Sequence, residues 1–246
     1  MVAADPTICF DPAPQRLADL RRFYALMDEL ARRTGGPRRL AECSGRMEWP
    51  PRGVYFFMEP DEVRRESGEG LRIVRVGTHA LKDQSRTTLW KRLSQHKGQA
   101  RSSGGNHRGS IFRLLVGAAL LADDPALCVT WGQGNNAART IREAERELES
   151  RVSAVIGQMP FLFLHIDDAP GPQSLRGVIE RNAIALLSNS GKTPSDSASK
   201  DWLGYRCPRE RVRASHLWNQ NHVDEAYDPA FLDTLEALIH AAERRA

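Results

Sequence analysis

Gly53-Val54-Tyr55-Phe56-Phe57, then Leu71-Arg72-Ile73-Val74-Arg75-Val76-Gly77, then Thr88-Leu89-Trp90-Lys91-Arg92-Leu93-Ser94-Gln95-His96: these three runs decide the fold. The first two are short, apolar and rich in β-branched and aromatic residues, which is the composition of strands. Glu66-Ser67-Gly68-Glu69-Gly70 between them supplies the turn residues a hairpin needs. The third run places Leu89 and Leu93 on one face of a helix. Arg92 and His96, four apart, are neighbours on another face.

Around this stretch the charge is uneven. Residues 82–113 hold eight basic side chains (Lys82, Arg86, Lys91, Arg92, Lys97, Arg101, Arg108, Arg113) and one acid, Asp83, while the whole chain carries only +4. A local basic patch is the footprint of a surface that binds a phosphate backbone. The alternative is a solvated loop whose charges are paired elsewhere. With 27% charged and 41% apolar residues in 246, the chain has the composition of a soluble globular protein. No apolar run approaches the roughly 20 residues of a membrane helix. Met1-Val2-Ala3-Ala4-Asp5-Pro6 lacks the basic start and apolar core of a signal peptide. Cys9, Cys43, Cys128 and Cys207 lie far apart with no C-x-x-C, which points to a reducing, cytoplasmic setting and against structural zinc. There is no internal repeat.

The other elements follow from periodicity. Residues 15–34 form an amphipathic helix through Leu17, Leu20, Tyr24, Met27 and Ala31, ended by Gly35-Gly36-Pro37. Residues 37–52 are a basic connector. Residues 98–109 are a polar, glycine-rich loop suited to bring N–H groups and arginines to phosphates; His107 near its end either contacts substrate or opens the next helix. That helix covers 111–122. Leu127 to Trp131 is a possible short strand, 137–157 a charged amphipathic helix, and 161–166 a buried strand. Ser174 caps a largely apolar helix over 175–187. Glu180 lies within it, and a buried carboxylate is costly unless it is paired or holds a metal. Gly191-Lys192-Thr193 is not a phosphate-binding loop, because Leu186 stands where its first glycine must be. Residues 201–246 hold aromatics and a final helix; Trp218-Asn219-Gln220-Asn221-His222 either touches DNA or belongs to a folded C-terminal cap, the expected case.

The order of parts resembles the GIY-YIG nuclease family. Gly53-Val54-Tyr55 is similar to the first tripeptide of that family, Arg75-Val76-Gly77 stands where the second falls, and Arg92 with His96 resembles its catalytic arginine and helical neighbour. Ile179-Glu180-Arg181-Asn182-Ala183-Ile184 is similar to the family's excision-repair members around their metal-binding glutamate. The departure is Arg75, where the family has tyrosine. The resemblance covers about half the chain and implies an α+β fold: a small three-stranded, mainly antiparallel sheet flanked by helices. The expected organisation is a helical extension over 1–50, a nuclease-like domain over 51–190 and a packed extension over 191–246.

It also implies a chemistry. Tyr55 would orient or deprotonate water, helped by a nearby cation, Arg75 or Arg92, since a phenol's ordinary pKa is about 10. Arg92 would meet the charge that builds on the phosphate, and His96 would share the proton. Glu180 would hold one Mg2+ or Mn2+. If residues 127–131 were the third core strand, Glu149 would take that role instead; an ion pair of Glu180 with Arg176 or Arg181 is the plainer alternative. Arg75, Lys91, Lys97, Arg101, His107, Arg108 and Asn189 are the expected nucleic-acid contacts, although Asn189 equally suits a helix end. The expected partner is DNA, double-stranded or branched. A non-catalytic nucleic-acid-binding module and a protein-interaction domain are the rival readings.

Overall fold

The computed structural model of the protein describes residues 12–99 and 104–242. In chain order the elements are helix α1 (Pro12–Thr34), strand β1 (Arg38–Arg39), strands β2 (Gly53–Val63) and β3 (Leu71–Gly77), and helices α2 (Leu89–Lys97), α3 (Ile111–Leu120), α4 (Arg139–Ala144) and α5 (Arg146–Gln158). Strand β4 (Pro160–His165) and helices α6 (Leu175–Leu187), α7 (Glu210–Ser215) and α8 (Phe231–Ala241) complete the described residues. The fold is α+β, with one antiparallel sheet in the order β1-β4-β2-β3. The hairpin and the third core strand are those expected. The fourth strand, β1, is an addition: two arginines pairing with Phe161 and Pro160, too short and too polar to read as a strand.

Strand β2 is central, and residues 53–58 are all buried. Successive side chains of a strand point to opposite faces, and here both faces are covered. Val54, Phe56 and Met58 join Ile73, Val76, Leu162 and Leu164 in one core with α1, α6 and α8. Tyr55 and Phe57 join Val74, Phe161 and Phe163 in a second core with α2, α3 and α5. That double burial is why the strands read as uninterrupted apolar runs. Pairing passes from Phe57↔Arg75 to Met58↔Ile73, so Val74 is an extra residue in β3. This bulge shifts the alternation and aims Arg75 to the side of Tyr55 and Phe57.

Two expectations are corrected. Residues 127–131 hold no strand: Pro125–Cys128 is a single 3-10 turn, with Leu127 and Val129 exposed. The third core strand is therefore β4. The helix expected over 137–157 is broken into α4 and α5 at Glu145. That carboxylate is buried and accepts from Arg108 at 2.6 and 2.8 Å and from Thr130 at 2.8 Å.

The C-terminal segment closes the outer edge of the sheet. Trp218 N–H donates to the Val74 carbonyl at 2.7 Å, and the Asn219 amide accepts from Val76 N–H at 3.1 Å and donates to its carbonyl at 2.8 Å. An edge so paired offers no template for another chain. Among the described residues no helix is long and apolar enough to cross a membrane, and Cys43, Cys128 and Cys207 are free.

Candidate active site

The site forms where β2 and β3 run side by side. Tyr55 pairs with Gly77 across the hairpin. The Tyr55 ring lies directly over Gly77, so a β-carbon there would collide with the phenol. The glycine of the second tripeptide is thus the space the first tripeptide's tyrosine occupies. Gly53 is similarly tight against the Leu164 carbonyl of β4.

Helix α2 brings the next residue. Thr88 caps it, its hydroxyl accepting from Lys91 N–H at 3.2 Å. Leu89 and Leu93 anchor the helix in the second core. This sets His96, fully buried, with Nε2 at 2.8 Å from the Tyr55 hydroxyl and Nδ1 at 2.7 Å from Ser110 Oγ. Burial, and then the charges of Arg92, Arg75 and Arg113, push the imidazole well below its ordinary pKa. It is a neutral ring at neutral pH, with both nitrogens engaged.

Arg75 is buried and not on the surface. Its guanidinium lies 4.7 Å from the Phe112 ring centroid and donates to the Trp218 carbonyl, while Nε has no partner among the described residues. Burial lowers its pKa, and Tyr55, Arg92 and Glu180 are all near enough to act on it. It therefore stands as a fixed cation beside the phenol rather than as a surface phosphate contact. Arg92, half-buried, donates to Gln95 Oε1 at 3.1 Å and to the Gly109 carbonyl at 3.2 Å.

Helix α6 starts at Ser174, whose hydroxyl accepts from Gly177 N–H at 3.5 Å and donates to Asp168 at 2.6 Å. Ile179, Ala183 and Ile184 fasten it to the first core. Glu180 then comes beside the end of β3, where Oε1 accepts from Thr78 N–H at 3.0 Å. Its carboxyl is pushed above the usual range by burial, opposed by the Thr78 bond and by the charges of Arg75, His222 and Arg92. Glu180 makes no ion pair among the described residues; Arg176 is instead paired with Asp168. Oε2 has no protein partner there and the residue lines an open cleft with His222 and Gly177. One carboxylate with a free oxygen beside an open cleft suits a hard cation that keeps most of its waters. No group of three ligand-type side chains occurs among the described residues.

Tyr55, Arg75, Arg92, His96 and Glu180 are thus brought together. Glu149 is not. It is buried on α5, bonded to Arg113 Nε at 2.9 Å and to His107 Nδ1 at 3.0 Å. Burial alone would raise its pKa, but His107 and Arg113 hold it below the usual carboxylate value. His107 is enclosed, its second nitrogen accepting from Gly132 N–H at 3.1 Å. Arg108 is committed to Glu145. Asn189 is buried behind α6, accepting from Arg16 at 2.9 Å and from Ser195 N–H at 2.9 Å. These three reach inward and not toward the Tyr55 cluster. Lys91 is exposed and Lys97 half-buried, while Arg101 lies outside the described residues. Asn219, within a run expected either to touch DNA or to cap the fold, is instead bonded to Val76. Sequence alone does not single out Ser110 or Thr78: a lone polar residue becomes a partner only once the fold supplies the other half.

An α+β protein that gathers tyrosine, arginine, histidine and one glutamate around a small antiparallel sheet has the framework of a nuclease-family fold. A family model described as GIY-YIG domain matches residues 14–245, and the chain belongs to that family. The match extends through both terminal segments, beyond the half expected from the motifs. No curated protein and no solved structure matches the chain.

Proposed function

We propose that the protein is a metal-dependent DNA endonuclease that hydrolyses phosphodiester bonds through a single-metal site. The observation that carries this reading is the convergence of Tyr55, His96, Arg92 and Glu180 at one end of the β2–β3 hairpin.

With Nδ1–H of His96 donating to Ser110 Oγ, Nε2 keeps its lone pair and accepts from the Tyr55 hydroxyl. The neutral ring can then take the phenolic proton as Tyr55 takes one from the attacking water. Arg75 supplies positive charge where the Tyr55 oxygen becomes negative. Arg92, at the rim, offers its donors to the non-bridging phosphate oxygens as charge builds there. Glu180 would hold the divalent cation, Mg2+ or Mn2+, which when bound supplies a Lewis acid at the phosphate. Thr78 N–H orients that carboxylate through its other oxygen.

The test is incubation of supercoiled plasmid and branched DNA with the protein and Mg2+ or Mn2+. Nicking that EDTA abolishes is expected. A wild-type protein that cuts none of these substrates would overturn the reading.

A further inference from the structure

A second cleft lies away from Glu180. It has a volume of about 950 Å³ and sits on the far side of α2, between that helix and the α4–α5 junction. Its walls carry Lys97, Arg139, Arg142 and Arg146 against one acid, Glu143, with Trp90 as the aromatic wall. Arg139 shares Glu143 at 2.8 Å, Arg142 donates to the Ala137 carbonyl at 3.1 Å, and Arg146 has no acidic partner among the described residues. All three arginines are exposed. Trp90 is held in place by Trp49, stacked on it at 4.9 Å and 22°.

Helical geometry ties this cleft to the Tyr55 cluster. Trp90, Ser94 and Lys97, spaced four and then three apart, share one face of α2, and Arg92 lies roughly on the opposite face. Lys91 and Gln95, both exposed, occupy the arc between them. A positive, polar path thus runs from Arg92 over Lys91 to Trp90 and the arginines. The crossing is about the 10 Å width of a helix. Basic side chains that track a backbone, together with an aromatic face for a base, are the elements of single-strand binding.

We propose that this cleft binds a single-stranded arm of the nucleic-acid substrate, with phosphates on Arg139, Arg142 and Arg146 and a base on Trp90. The proposal rests on the nucleic-acid reading of the Tyr55 cluster and adds the substrate class: DNA with an unpaired strand next to the cut.

The test measures binding of a fluorescent single-stranded oligonucleotide in EDTA, across a salt series, for wild type, Trp90→Ala and the double variant Arg142→Ala/Arg146→Ala. A blunt duplex of the same length is the comparison. The double variant should lower the slope of log affinity against log salt by about 1.4 on the single strand, about 0.7 for each phosphate left without its arginine. Trp90→Ala should weaken single-strand binding about tenfold, and duplex affinity should hardly change. An unchanged slope, or an equal loss on duplex, would overturn the proposal. Cleavage is scored separately. Wild type that shows this single-strand binding and cuts no DNA would support the cleft and remove the nuclease reading.

Discussion

The Tyr55 hydroxyl lies 2.8 Å from His96 Nε2, and the other nitrogen of that ring lies 2.7 Å from Ser110 Oγ at the start of α3. Three elements (β2, α2 and α3) therefore meet in one chain of hydrogen bonds that ends at the phenol. Ser110 also caps α3, accepting from Arg113 N–H at 3.3 Å. Ser110→Ala should cost about 1–2 kcal/mol in urea unfolding, from the missing cap and the unpaired buried nitrogen. Its cleavage rate should fall well beyond what the smaller folded fraction explains. A full rate at full folding would show that the Ser110–His96 bond does not serve Tyr55.

Gly77 is a packing requirement and not a flexible hinge, since its side-chain space is filled by the Tyr55 ring. Tyr55 is itself buried and cannot swing away cheaply. Gly77→Ala should destabilise the protein by about 1–3 kcal/mol through overpacking and should displace the phenol from His96. Chemical denaturation reads the first effect. The chemical shifts of the His96 ring protons read the second.

The two candidate carboxylates should respond oppositely to change. Glu149 is bound by Arg113, whose head is wholly enclosed. Arg113→Leu leaves that carboxylate buried without its guanidinium and with His107 as its remaining partner, and should cost about 3 kcal/mol. Glu180 is held with its pKa raised by burial and has no cation bonded to it among the described residues. Glu180→Gln keeps the acceptor for Thr78 N–H, and should leave stability within about 1 kcal/mol of wild type. Thermal melts of the two variants decide this before any activity is assayed.

Glu59 gives a pH signature. Its carboxylate accepts from the Trp202 indole at 2.6 Å and from the Trp218 indole at 3.3 Å, and burial raises its pKa to about 7. A carboxyl whose folded pKa lies above its unfolded value of 4.5 stabilises the fold below that value. The contribution is lost as pH rises through about 7. Tryptophan fluorescence should titrate with a midpoint of about 7 and Glu59→Gln should abolish that step. An unaltered titration in the variant would assign it to another group.

The hairpin, α2 and β4 were legible because each announces itself locally, as an apolar run or a helical spacing. The order Tyr55, Gly77, Arg92, His96 and Glu180 was legible for the same reason. Partnerships across the chain were not. His107 and Arg108 read as a polar loop near phosphates, but their partners, Glu149 on α5 and Glu145 at the α4–α5 break, lie 42 and 37 residues further on. Leu127 to Trp131 had strand composition, yet it folds as turns, with Leu127 and Val129 exposed. Arg75 read both as a cation for Tyr55 and as a nucleic-acid contact; the Val74 bulge, invisible in sequence, turns it inward beside Phe112 and leaves only the first role open. The Arg142 and Arg146 cleft was invisible because its other wall is α2.

The most direct measurement is the rate of plasmid nicking with Mg2+ by wild type, Tyr55→Phe, Arg92→Ala and Glu180→Gln, each first shown to be folded. Wild type should cut, and every variant should be slower by about a hundredfold or more, as expected when a group acting in the transition state is removed. A folded Glu180→Gln that cuts at the wild-type rate, or a wild type that cuts nothing, would contradict the account.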